Sequence, residues 1–546
     1  MSRTSTTGHR AFGDSTVMEL GRTRLKFGGA LLAGVALPLA FSGFFLPMMR
    51  TLGAGGQEFE SREAAIADAV EKNGKIFVDW PQPQLAIVFT GEMDGYLEPC
   101  GCAGLDNQKG GLKRRLTFIQ QLEKDGWPVV ALDMGGHIRR FGPQADMKYR
   151  FAMKSLTTIG YEAIGLGIKE LQLDANYLAY VLSNFENNNP VVSANVSIID
   201  PTLGLSSTFR IIEKAGMKIG VTSVLGKKYQ PDLQNSPDIV WTEPAVALQK
   251  MMPELEVAKC DLLVLLVHAD PEEAVALGKQ FPQFDFVATT DGAETPPNRL
   301  VPLAEPIEGV PPSHLVEAGQ KGQYATVIGV YNDPQTPWRL QRVPLDHRFE
   351  DAQPMQDLLV EYQNELKTLG LSGLGLTGNK HPVDRFAGSS ACADCHTAAT
   401  EAFENTPHSW ATDTLVELDP PRHFDPECLS CHVTGWNPQE YFPYVSGFTG
   451  IDKTPHLQQN GCENCHGPGA AHVAAENGDV EADDAELERL RAAMRLKIVE
   501  NEGNKAGQVI QDAVVVNMCM ECHDLDNSPD FDFQEYWPQV EHYGKD

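Results

Sequence analysis

Positive charge is in short supply. The 546 residues hold 44 Lys and Arg against 74 Asp and Glu, for a formal net charge of −30. A field of that sign repels phosphate backbones, so no nucleic-acid partner is expected. Cysteine is sparse as well: 11 residues are too few to staple a chain of this length together by disulfides. Glycine and proline, 49 and 36 residues, stay below the level of low-complexity or collagen-like chains. A mostly globular protein follows, long enough for two to four units of about 150 residues.

One apolar run stands out near the amino end. Residues 27–49 are uncharged and mainly apolar, enough to cross a hydrocarbon core of about 30 Å as a helix. Arg3, Arg10, Arg22, Arg24 and Lys26 precede it and only Arg50 follows closely. By the positive-inside bias, residues 1–26 are cytoplasmic and everything after Arg50 is exported, which makes the lipid bilayer a partner through a single-pass anchor in the cytoplasmic membrane. A cleavable signal peptide is the competing reading, because Leu52-Gly53-Ala54 offers small residues, although the run is longer than a usual signal core.

Eight of the cysteines cluster between Cys392 and Cys522. They form four pentads: Cys392-Ala393-Asp394-Cys395-His396, Cys428-Leu429-Ser430-Cys431-His432, Cys462-Glu463-Asn464-Cys465-His466 and Cys519-Met520-Glu521-Cys522-His523. Random placement would give roughly 0.006 such pentads in the whole chain. The spacing suits covalent haem c, in which two thiols bond the two vinyl groups of one porphyrin and the adjacent His reaches the iron. Paired C-x-x-C elements also build zinc sites, but zinc does not require a His after every second Cys. Disulfides would leave all four His unexplained. Four covalently bound haems are expected, with His396, His432, His466 and His523 as proximal iron ligands. They would supply much of the core of this part of the chain, which should fold only with haem.

The sixth iron position separates electron carrier from catalyst. Candidate distal ligands are His408, His423 and His472, which sit near pentads, and His456, six residues before Cys462; His381 and His542 are less favourably placed, near the linker and the chain end. At CENCHGPGAAH (462–472), DPECLSCHVTG (425–435) and MCMECHDLDNSPDFDFQEYW, the chain resembles tetrahaem cytochromes of the c-554 type, over about residues 385–543. The resemblance implies closely packed haems that pass electrons, in known members from ammonia-oxidation chemistry. An insertion at 473–516, with the acidic helix-like stretch 483–502, lengthens the last gap.

Between about 83 and 345, short apolar runs (85–89, 129–132, 191–196, 218–224, 262–267) alternate with helical patterns and read as buried strands of an α/β sandwich. Residues 111–122 place apolar side chains at 112, 116, 119 and 122, so a helix is expected there with its Lys and Arg facing water. In order, FTGEMDGYLEP, GGLKRR, VVALDMGG, AIGLGIKEL, PVVSANV, KIGVTSV, LLVLLVHAD and VEAGQKGQYATVIGVY resemble the metallophosphoesterase domain of the 5'-nucleotidase family. That family holds two divalent metals with D-x-H, G-D, G-N-H-[DE] and G-H-x-H motifs. Here Glu92 and Asp94 fill the D-x-H positions, Gly136 replaces the bridging Asp, Ile168 and Lys169 replace Asn-His, and Thr289-Thr290-Asp291-Gly292 stands where G-H-x-H is expected; only His268 matches. A Lys in place of a ligand and a missing bridging carboxylate both oppose a two-metal site. Glu92, Asp94, His137 and His268 remain candidates for a single additional metal, and Cys100 and Cys102 for a metal or redox role. Cys260, just before the 262–267 run, reads as a buried small apolar residue.

The expected order is a cytoplasmic start (1–26), an anchor or signal (27–49), a tether (50–82) with a short helix at 61–72, a degenerate phosphoesterase-like domain (83–369), a linker (370–388) and a mainly α, loop-rich tetrahaem domain (389–546). The function so implied is a membrane-anchored, exported tetrahaem cytochrome that transfers electrons to redox partner proteins, with a non-hydrolytic docking domain. The alternatives are a haem oxidoreductase for a small nitrogen or sulfur compound, and residual metal-dependent phosphoesterase or 5'-nucleotidase activity.

Overall fold

The computed structural model describes residues 61–100, 107–140, 142–185, 188–304, 312–496, 513–528 and 531–542. The anchor at 27–49 and Cys102 therefore lie outside the described residues, as does the side chain of Cys100. Among the described residues no helix is long and apolar enough to cross a membrane.

Two sheets stack face to face. The first has the order Trp338–Pro344, Tyr324–Val330, Leu85–Thr90, Val129–Asp133, Tyr161–Ile164. Its last three strands run parallel, and Tyr324–Val330 lies antiparallel to Leu85–Thr90. The second has the order Val301–Pro302, His314–Glu317, Phe286–Thr289, Leu262–His268, Met217–Leu225, Arg210–Lys214. Alternation within Leu85–Thr90 explains the stacking. Leu85, Ile87 and Phe89 point at the second sheet and meet Val221, Leu266 and Phe286, while Ala86 and Val88 turn to the helices Leu112–Lys124 and Pro143–Ile159. The helices Pro244–Val257 and Pro271–Gln280 cover the far face of the second sheet through Leu248, Met251 and Leu277. The result is a four-layer α/β sandwich, held by side chains whose burial contributes about 1.5–3 kcal/mol each.

Three expectations change in detail. The 191–196 run is not one strand, because Val191 and Val192 make single bridges and only Val196–Ile198 pairs with Ile239–Trp241. The tether is packed from residue 62 onward: Ser61 caps the helix Arg62–Asn73, Arg62 donates to the carbonyls of His347 and Arg348, and Trp80 stacks on Trp127. The cations at 113–115 do not face water. Lys113, Arg114 and Arg115 are buried, each beside a carboxylate: Lys113 2.9 Å and Arg114 3.9 Å from Asp351, and Arg115 3.7 Å from Asp133. Burial of charge is tolerated only with such partners.

A long helix, Gln353–Gly373, leads towards the pentads. Residues 370–388 are anchored rather than loose, with Leu374 buried and Asn379 bridged to Tyr444. Beyond them lie short helices and one two-stranded ladder, Trp436–Asn437 with Phe442–Pro443. One buried apolar cluster serves this part: Phe386, Leu415, Leu429, Val433, Trp436, Phe448 and Leu457.

Candidate functional site

The loops at the carboxyl ends of the parallel strands, where α/β folds usually place ligands, carry Glu92, Asp94, Gly136, Glu170, His268 and Asp291. Their centre is filled by a protein cation. His137 is buried, with Nε2 3.0 Å from Asp133 Oδ1 and Nδ1 3.1 Å from Glu170 Oε1. Burial disfavours its charge, but the two carboxylates outweigh burial and raise its pKa to about 10. Glu170 is held down to about 2 by that imidazolium against the effect of burial, and it also accepts from the Gly136 and Gly167 amides at 2.8 and 2.9 Å. Asp133 further accepts from Thr90 Oγ1 at 2.6 Å. Charge that a divalent cation would otherwise balance is thus balanced by His137.

A second pair sits beside it. Burial, reinforced by a hydrogen bond to Asp291, raises Glu92 to about 9, so Glu92 holds a proton and donates it to the Asp291 carboxylate. Asp291 stays ionised because Lys228 lies 2.5 Å away and the Tyr229 hydroxyl donates to it. Gly136 has φ +82°, and a Cβ there would stand 3.0 Å from the Glu92 Cα, so this backbone has no room for the aspartate of the family pattern. His268 is neutral, its pKa lowered by burial, with Nδ1 3.3 Å from the Met134 carbonyl. Among the described residues no group of three or more His, Cys, Asp or Glu is arranged to hold a metal ion. The four candidates Glu92, Asp94, His137 and His268 are consequently spread over different partners. Asp133 and Glu170 are not among the residues expected from sequence; each shows there only as a lone carboxylate inside the apolar stretches VVALDMGG and AIGLGIKEL.

The pentads present a different picture. The His432 Nδ1 lies 2.7 Å from the Ala411 carbonyl, the His466 Nδ1 2.7 Å from the Met494 carbonyl and the His523 Nδ1 3.0 Å from Ser528 Oγ. Donation from Nδ1 leaves Nε2 as the lone-pair nitrogen a metal needs. Burial lowers the pKa of all three, which keeps them neutral. A second imidazole faces three of the pentad histidines, at ring-centroid distances of 6.5 Å for His396 and His472, 6.0 Å for His523 and His408, and 5.7 Å for His466 and His542. Metal–nitrogen bonds of about 2.0 Å on either side of one ion require roughly this spacing. The donor set therefore fits bis-imidazole iron at three pentads. His432 has no second imidazole ring against it among the described residues. His423 lies against Phe424 and near Lys367, and neither it nor His456 faces a pentad histidine.

Thiols of different pentads also meet. Cys392 is hydrogen-bonded to Cys462 and Cys431 to Cys522, while Cys465 lies within electrostatic reach of Cys519. The contacts order the pentads first, third, fourth, second. The second is clamped to the sandwich: Asp425, which caps the helix Pro426–His432, accepts from Gln144 at 2.6 Å and Gln363 at 3.0 Å, and Glu427 pairs with Lys148 at 2.5 Å.

Comparison with known proteins bears out both resemblances. Residues 391–467 match the family "Cytochrome c554 and c-prime". The chain is similar to cytochrome c-554 of Nitrosomonas europaea, 33% identical over 97 residues that make up 15% of this chain and 39% of that protein. It is also similar to snake venom 5'-nucleotidase of Gloydius brevicauda, 27% identical over 248 residues, 43% of this chain and 40% of that protein. The chain thus spans about two fifths of the length of these curated relatives. A 5'-nucleotidase precursor from Thermus thermophilus superposes with a TM-score of 0.43 at 17% identity, over 59% of this chain and 66% of that one.

Proposed function

We propose that the protein is a membrane-anchored, exported tetrahaem c-type cytochrome that conducts electrons, and that its phosphoesterase-like region is a non-hydrolytic packing and docking module. The observation that carries this reading is the set of three imidazole pairs spaced for one iron each, all beside Cys-x-x-Cys-His pentads. In it, Cys392 and Cys395, Cys428 and Cys431, Cys462 and Cys465, and Cys519 and Cys522 hold the haems; His472, His542 and His408 complete the first, third and fourth. Bound haem supplies the one-electron chemistry. The chain's part is to fix the irons' ligands and to order the groups so that an electron entering at the first pentad leaves at the second. The runs of Asp and Glu favour a basic redox partner.

Support for the anchor is the uncharged run at 27–49, and support for the loss of hydrolysis is the His137 imidazolium in the place of metal charge. Haem analysis by the pyridine haemochrome tests the reading: four haems per chain are expected, and a value near zero would overturn it. Recovery of the full chain in the membrane fraction, and its release on deletion of residues 1–50, tests the anchor.

One observation favours a second reading, a haem oxidoreductase for a small nitrogen or sulfur compound. His432 is the single pentad histidine without a facing imidazole among the described residues, and an open iron position binds small ligands.

A further inference from the structure

We propose that Glu463, inside the third pentad, is a positioning residue whose buried negative charge lowers the reduction potentials of the first and third haems. The inference rests on the haem reading above and adds to it the side chain that tunes two of the irons.

Glu463 is 3% exposed, and carboxylates are rarely buried so fully without a partner. It belongs to the helix Cys462–His466, and both of its oxygens face backbone amides. Oε1 accepts from the Ala387 amide at 2.9 Å and the Gly469 amide at 2.8 Å; Oε2 accepts from the Ala387 amide at 3.1 Å and the Gly388 amide at 2.7 Å. Every partner is a donor, so the group accepts throughout, as a carboxylate does. Residues 387 and 388 lead into the first pentad. Gly388 has φ +88°, and a Cβ there would stand 2.4 Å from the His456 carbonyl oxygen, so only glycine brings this amide to Glu463. Its own carbonyl accepts from the Cys392 thiol at 3.9 Å. Gly469 opens the helix Ala470–Glu476, from which His472 faces His396. One carboxylate thus joins the entry to the first pentad, the body of the third and the helix that carries the first pentad's second imidazole.

No side chain balances this charge. Among the described residues no Lys, Arg or His stands within ion-pair distance of Glu463. Glu427, beside the second pentad, differs: Lys148 lies 2.5 Å and Arg140 3.4 Å from it. Amide dipoles hold a carboxylate in place and leave its net charge standing. The field of Glu463 bears on the thiols of Cys392 and Cys462 alike, and those two thiols are hydrogen-bonded to each other. Both attachment sites therefore lie around one negative group. Oxidised haem iron carries one positive charge more than reduced iron, so a nearby carboxylate favours the oxidised form and lowers the potential. Burial keeps that effect from being screened by salt. A haem so placed gives up its electron more readily, which suits groups that pass electrons on.

The test is a redox titration of the full-length protein, its haem content measured first, followed by optical and electron paramagnetic resonance spectra. Glu463→Gln keeps the shape and removes the charge. It is expected to raise the midpoints of two haems, each by roughly tenfold in the reduction equilibrium or about 59 mV for one electron, with the other two midpoints and the low-spin signals unchanged. Glu463→Asp keeps the charge but is one methylene too short for all of the amides, so it is expected to melt earlier and to keep the low midpoints. Unchanged midpoints in a Gln variant carrying four haems, an equal shift of all four, or an Asp variant whose midpoints rise as far as those of Gln would each overturn the proposal. One measurement needs no variant: the Ala387, Gly388 and Gly469 amides of the unmodified protein should exchange slowly with deuterium, and free exchange would overturn the placement of the charge. A protein without haem would instead overturn the reading beneath it.

Discussion

The sandwich and the pentad region solve the same problem in opposite ways. The sandwich buries three apolar clusters against two sheets and neutralises its interior charges with its own residues, Arg115 on Asp133 and His137 between Asp133 and Glu170. Among the described residues the pentad region has one cluster of seven buried apolar side chains, short helices, and pentad cysteines and histidines that are half-buried or, at Cys395, His396 and Cys465, exposed. On the proposed reading, one part is complete as a polypeptide and the other takes much of its core from its cofactor. That difference makes the boundary between them informative, because Gln144, Lys148, Gln363 and Glu98 tie the complete part to the incomplete one.

The largest expected effect comes from withholding haem. Produced in cells that lack cytochrome c maturation, the chain should keep a cooperative thermal transition from the sandwich, while residues 389–542 become open to protease. Equal protection of both parts would break the comparison.

Next comes the buried imidazolium. His137→Leu strands two buried carboxylates and should cost the sandwich about 3–5 kcal/mol, measured as a lowered denaturant midpoint with haem spectra unchanged. The same group sets a pH dependence. Its pKa is raised from 6.5 to about 10 in the folded state, so the stability it contributes is complete below pH 6.5 and is lost as pH climbs through about 10. Midpoints of the sandwich transition between pH 6.5 and 10 should fall in the native chain and fall less in His137→Leu.

How much of this was legible beforehand follows from how local each signal is. A pentad carries its chemistry within five residues, so all four candidate attachment sites are legible at once. Distal partners depend on how the chain folds back: His542, near the chain end, stands beside His466, whereas His423, close to the second pentad in sequence, turns to Phe424. The strands were legible as apolar runs because parallel sheets are buried on both faces. The cations at 113–115 were misjudged as solvent-facing, since their partners Asp133 and Asp351 are distant in sequence and become neighbours only in the folded sheet and helix. The loss of metal ligands was visible residue by residue, yet its replacement by an imidazolium was not, because that needs the Asp133–His137–Glu170 geometry.

Smaller effects sharpen the boundary itself. Arg422 reaches back to Glu98 at 2.6 Å, and Glu98→Gln should loosen the contact by about 1 kcal/mol, read as a modest rise in hydrogen exchange around the second pentad. The smallest expected effect is none: manganese or zinc added to the protein should give no hydrolysis of nucleoside monophosphates, and measurable turnover would restore a catalytic role to the sandwich.

On the proposed reading four irons sit in two kinds of site, three between the imidazole pairs and one at His432, which has no second imidazole against it among the described residues. Electron paramagnetic resonance of the oxidised full-length protein reads this directly. The account predicts integrated signals of three low-spin haems and one high-spin haem per chain; four low-spin haems, or no haem signal, would contradict it.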